Sequence, residues 1–146
     1  MTGFLPMWKP QQMKYYIQRI SSVAAAIIFL QTLYFKFTGA PESVFIFSEL
    51  GIEPYGRIGL GVIELIAALL LIFQRSSFVG GIMGLGIITG AILSHLFILG
   101  IVVLDDGGTL FVLAVTVFIL CLITVILQKE KWAAFKQSGM SFASLF

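Results

Sequence analysis

Four polar or ionisable side chains stand inside, or at the rim of, otherwise apolar stretches of this chain: Gln31, Lys36, Glu64 and His95. An ionisable group at the centre of a membrane helix costs about 2.5–3.5 kcal/mol on insertion scales, so such groups usually face a bundle interior and mark a pathway or site. Glu64 and His95 could share a hydrogen bond, with Lys36 balancing the carboxylate. Because imidazole titrates near neutral pH, such a group would form a proton-coupled site. A quinone headgroup would suit the same place, with apolar walls for its ring and donors for its carbonyl oxygens. Each residue also has a plainer use. Lys36 could anchor a helix end by snorkelling, Gln31 could bridge two helices, and His95 could be a satisfied polar contact.

Other chemistries find less support. One histidine without a cysteine partner cannot close a zinc site, so no metal site is expected. A haem on His95 would take its second axial ligand from elsewhere, or have none. Asp105 and Asp106 could hold a cation, but a turn with a helix-capping aspartate accounts for them more simply. The single cysteine, Cys121, can form neither an internal disulfide nor a CxxC pair, which excludes thiol–disulfide catalysis within the chain. No phosphate loop and no Ser–His–Asp order is present. With a net charge of +2 and no long basic patch, nothing provides the phosphate neutralisation that nucleic acid requires.

The elements that must position these groups are legible from hydropathy. The chain is 59% hydrophobic and 11% charged, against about 25% charged in an ordinary soluble domain. The excess lies in four stretches, near residues 17–37, 58–73, 78–100 and 109–128. About 20 apolar residues cross a hydrocarbon core as a helix, and lipid leaves backbone polar groups no other partner. The second stretch is short unless Tyr55 to Arg57 or Gln74 join it. The expected fold is therefore an all-α membrane protein, a four-transmembrane-helix bundle over residues 17–128. Residues 1–16 would form a cytoplasmic N-terminal segment and 129–146 a cytoplasmic tail. The N-terminal segment lacks the apolar core of a signal peptide, so the first span is expected to remain.

Connections and charges refine this picture. QRSS and LDDGG read as tight turns, with Gly107 and Gly108 able to take positive φ. In the longer first connection, Pro41, Glu42 and Gly51 suit the start and end of a helix. That segment is read as a short interfacial helix in the first outer loop, or an ordered loop packed over the bundle mouth. Lys9, Lys14, Arg19, Arg75, Lys129, Lys131 and Lys136 fall on one side and only Lys36 and Arg57 on the other. The positive-inside rule then puts both termini in the cytoplasm, in a cell (inner) membrane. Trp8, Tyr15, Tyr16 and Trp132 would mark the inner interface, and Tyr34 and Tyr55 the outer one. In the third span Gly86, Gly90 and Ser94 recur every four residues, with Gly80 and Gly84 on a second face. Small residues let helices approach in lipid, so this span is expected to be the central helix. Counted along the helices, Glu64 lies about 9 Å, His95 about 8 Å and Gln31 about 9 Å from the outer ends of their spans.

Taken together, Arg19 opening the first span, LQTLYFKFTGAPES at its outer rim and GLGVIELIAALLLI around Glu64 resemble the DoxX-like family of small four-helix membrane proteins. The glycine-rich third span and the acidic turn before the fourth also fit, so the resemblance covers Arg19 to Gln128. That family is named for a subunit associated with archaeal quinol oxidase and sulfur oxidation. The resemblance implies a quinone-linked redox or respiratory accessory subunit, with Lys36 and Glu64 at matching positions; His95 matches no family motif. Thiol-dependent relatives would need cysteines that this sequence lacks. As no residue set here carries electrons, a membrane protein partner or a cofactor would supply them. Two rival readings remain: a structural or assembly subunit of a membrane complex, and a small-solute or proton pathway that would need a homo-oligomer.

Overall fold

The structure is a computed structural model that describes residues 9–137. Helix α1 spans Pro10–Thr38, α2 Pro41–Glu49, α3 Tyr55–Ile72, α4 Ser77–Ser94 and α5 Thr109–Gln137; α4 continues into a π-helical turn, His95–Leu99. No strand occurs among the described residues. Four of the helices are long and apolar enough to cross a membrane, and the protein is a four-helix membrane bundle. Large apolar side chains such as Ile20, Ile66, Ile82 and Phe97 point outward, as they must where the surrounding solvent is lipid.

The first and last helices outrun the hydropathy spans. Helix α1 begins at Pro10 rather than residue 17, and α5 continues to Gln137 rather than 128. Hydropathy stops where apolar residues stop, whereas a helical backbone continues into water, where its polar face is solvated. Pro10 suits the first turn because its missing N–H is not needed there. At the far end Gly39 turns left-handed at φ 66°, and the Ala40 N–H closes on the Phe35 carbonyl at 3.0 Å. Trp8 lies outside the described residues. Where α1 begins and α5 ends, Trp132 stacks on Phe78 with ring centroids 5.1 Å apart, and Lys131 sits 5.7 Å over the Tyr15 ring.

Each long helix packs on two neighbours, in the cyclic order α1, α3, α4, α5. Helix α4 is therefore one wall among four, not the central helix that its glycines suggested. Those glycines divide by face. A Cβ on Gly80 would meet the Leu71 backbone nitrogen at 2.7 Å, and one on Gly84 the Cys121 Sγ at 2.7 Å. Gly86 and Gly90 have nothing within 4 Å and are exposed. The four-residue repeat thus lies on the lipid side, and the true contact face is Gly80, Gly81 and Gly84. Helix α5 buries Ala114, Val117, Cys121, Thr124 and Gln128, a three–four spacing that keeps one seam turned inward. Phe29, Ala68, Leu71 and Ile88 complete the core.

The first connection does hold a helix. Pro41 opens α2 and Glu42 lies in its first turn; Gly51 follows at φ 70°. Helix α2 packs against α1, α3 and the π-helical turn, burying Ser43 and Phe47, so it lies over the end of the bundle opposite the termini.

Candidate functional site

Helix α3 presents one inward stripe: Arg57, Gly61, Glu64, Ala67, Ala68 and Leu71 are all buried. Their three- and four-residue spacing is that of a single helical face. Because α3 starts at Tyr55, Glu64 is nine residues into an 18-residue helix, about 13 Å along its axis. It lies near half depth, deeper than a start at residue 58 implied. The side chain of Lys36, in the last turn of α1, descends to it. Lys36 Nζ lies 2.9 Å from Glu64 Oε2, with side-chain exposures of 14% and 5%. Thr32 Oγ1 lies 3.2 Å from the same oxygen and 2.8 Å from the Phe29 carbonyl; its single proton serves one of them at a time. The approach of the helices depends on Gly61, where a Cβ would meet the Phe37 ring at 3.1 Å.

Above this pair sits a second cation. Arg57 is held at 2.8 Å by Glu53, which lies just before α3, and its guanidinium donates to the Lys36 carbonyl. That carbonyl belongs to the last turn of α1, where backbone acceptors lack helical partners. A cation there also opposes the negative end of the helix dipole. Arg57 therefore fixes the backbone of the residue whose side chain neutralises Glu64.

The other two candidates lie elsewhere. Gln31 is exposed on the outer surface of α1, and its neighbour Thr32, about 100° further round the helix, occupies the interior position instead. His95 is buried, but its Nδ1 lies 2.9 Å from the Gly100 carbonyl, which can only accept. The ring also meets Phe111 edge-on at 5.7 Å. His95 thus fastens the π-helical turn to the chain leaving it; its hydrogen bond goes to Gly100, not to Glu64.

Asp106 is a capping residue. Its Oδ1 accepts from the Val103 and Gly108 N–H groups at 2.9 and 2.8 Å, and Oδ2 from Leu110 at 2.9 Å. These N–H donors, Leu110 foremost, hold its carboxyl below the usual carboxylate range. Gly107 and Gly108 take φ 64° and 84°, and Leu104 and Asp105 also turn positive. Among the described residues no group of three or more His, Cys, Asp or Glu side chains could hold a metal ion.

A second polar cluster, at the end that carries the termini, escaped the hydropathy reading. Gln18 Nε2 lies 3.2 Å from Ser77 Oγ, which lies 3.0 Å from Gln128 Oε1. Gln128 Nε2 donates to the Gln74 carbonyl at 3.0 Å, and Gln74 Nε2 to Gln18 Oε1 at 2.7 Å. The network ties α1, α5 and the α3–α4 turn together. The signal for it was periodic, since Gln128 continues the buried spacing of Val117, Cys121 and Thr124.

A quinone headgroup needs donors for its carbonyl oxygens. Lys36 Nζ and Thr32 Oγ1 lie against Glu64 Oε2, and this contact takes one of the three donors of the ammonium group. What the arrangement can do is hold a proton: a carboxylate and an ammonium at this distance are one internal transfer from a neutral acid–amine pair. Comparison of the chain with protein-family models, with curated proteins and with solved structures gave no match.

Proposed function

We propose that this protein is a DoxX-like accessory subunit of a membrane redox or respiratory complex, contributing a proton-exchanging Lys36–Glu64 pair at mid-depth. The observation that carries this reading is the pair itself: an ion pair in the middle of a membrane bundle is costly to keep unless it is used. Electron carriers, and any quinone, belong to partner subunits. Seven of the nine basic residues fall at the end of the bundle bearing both termini. This supports a cytoplasmic location for that end, in a cell (inner) membrane.

The test is gentle extraction from the native membrane followed by native mass spectrometry, with Glu64→Gln alongside. Co-purifying redox chains are expected. Turnover per assembled complex should fall in the variant, beyond any loss of assembly caused by leaving Lys36 unpaired. A chain that carries only lipid, in wild type as in variant, would overturn the reading.

A second reading, a structural or assembly subunit, is favoured by the glutamine–serine network, which ties α1, α5 and the α3–α4 turn together. Under it Glu64→Gln lowers the abundance of the complex, with turnover per assembled complex unchanged.

A further inference from the structure

Arg19 stands apart from the sites described so far. Its Nη1 is buried and has no hydrogen-bond partner among the described residues. It lies 19 residues before the end of α1 at Thr38, or about 28 Å along the axis, close to the roughly 30 Å thickness of a hydrocarbon core. With Thr38 at one membrane boundary, Arg19 is therefore at the other, level with the phosphates of the leaflet on the side of the termini. A shallow, open groove of about 360 Å³ on the surface of α1 is lined by Arg19, Ile20, Val23, Ala24 and Ile27. It follows one face of α1 for eight residues, about 12 Å, toward the middle of the bilayer. Ala24 is its smallest lining side chain, and Ile20 and Ile27 in the same lining point outward.

We infer that this groove binds an anionic phospholipid, its phosphate on the Arg19 guanidinium and an acyl chain along Ile20, Val23, Ala24 and Ile27. Arg19 is half-buried; a guanidinium with an N–H that lacks an acceptor is costly to leave so, and a lipid phosphate drawn to this flexible side chain supplies an acceptor and the opposite charge. The groove runs inward from the cation, the direction an acyl chain takes from its headgroup. Lys14, Arg75, Lys129 and Lys131 lie at the same end of the bundle and add a field that favours anionic headgroups.

Native mass spectrometry of the full chain, purified and exchanged into an equimolar mixture of phosphatidylglycerol and phosphatidylcholine, tests this inference. Wild type is expected to retain phosphatidylglycerol in preference. Arg19→Gln should lose that preference by about fivefold, the weight of one basic residue at an anionic surface. Ala24→Leu keeps the charge but fills the groove, and should lower retention of both lipids; it carries the test if Arg19→Gln does not fold. Lys14→Gln, which leaves the groove intact and removes only part of the surrounding field, should lower the preference less than Arg19→Gln does. Equal retention of the two lipids by wild type, or a preference unchanged in Arg19→Gln, would overturn the inference. So would undiminished lipid retention by Ala24→Leu.

Discussion

Lys36 Nζ lies 2.9 Å from Glu64 Oε2, so a residue at the rim of one helix neutralises a residue at the middle of the next. The reach works because Lys36 carries its charge on a long flexible stem and Gly61 leaves room beside it. Breaking such a pair from one side strands a buried charge, at about 3–5 kcal/mol, whereas replacing both partners by apolar groups is often neutral. Lys36→Met should therefore destabilise the bundle strongly, and Lys36→Met with Glu64→Met should recover most of the loss. Unfolding in a graded detergent mixture reads both. A double variant no more stable than the single one would mean that the site needs more than charge balance.

The glycines of α4 separate packing from mere recurrence. A methyl group on Gly80 would fall 2.7 Å from the Leu71 backbone nitrogen and 2.9 Å from Leu70 Cβ, neither of which can swing aside. Gly80→Ala is expected to cost about 1–3 kcal/mol through overpacking. Gly86→Ala, facing open space, should be neutral or gain up to about 1 kcal/mol of helix propensity. Thermal unfolding of the two variants side by side decides this; equal losses would refute the assignment of faces.

These cases show which parts of the structure were legible in the sequence. Four spans, a helix in the first connection and the charge balance of Glu64 by Lys36 could all be read, because an ionisable group in an apolar run has few explanations. Rotational setting could not be read. Gln31 and Thr32 differ by a single residue, yet one faces outward and the other bonds Glu64. Similarly, spacing alone could not say which glycine face of α4 met a neighbour, since both repeat at helical intervals. Gln18, Gln74 and Gln128 went unnoticed because polar residues near the ends of spans are ordinarily solvated. Only the helix order around the bundle brings them together.

Ser77 is the hinge of that glutamine cluster. Its hydroxyl meets both Gln18 and Gln128, so Ser77→Ala leaves a buried donor and a buried acceptor without their partner. A loss of about 1–3 kcal/mol is expected. Ser94→Ala should cost much less, because the Ser94 hydroxyl bonds only to the Gly90 carbonyl of its own helix. Comparable losses in unfolding experiments on the two would show that the cluster contributes no interhelical stability.

Asp106 makes the acid sensitivity of the fold testable. Three backbone N–H groups converge on its carboxylate ahead of α5 and hold its folded-state pKa below the ordinary value. A carboxyl group depressed in this way stabilises the fold fully above its unfolded pKa, about 4. That contribution is lost as pH falls through the lower folded-state value, since the unfolded chain takes up the proton first. Asp106→Asn retains an oxygen acceptor but not the charge. Its deficit relative to wild type should be steady from neutral pH down to about pH 5 and should shrink progressively below about pH 4. Asp106→Ala, which removes the cap itself, should lose about 0.5–2 kcal/mol at neutral pH. Thermal unfolding of the three proteins across that range is the measurement. An Asp106→Asn deficit that stays constant into acid would show that the charge has no part in the cap, leaving the turn to be held by its hydrogen-bond geometry alone.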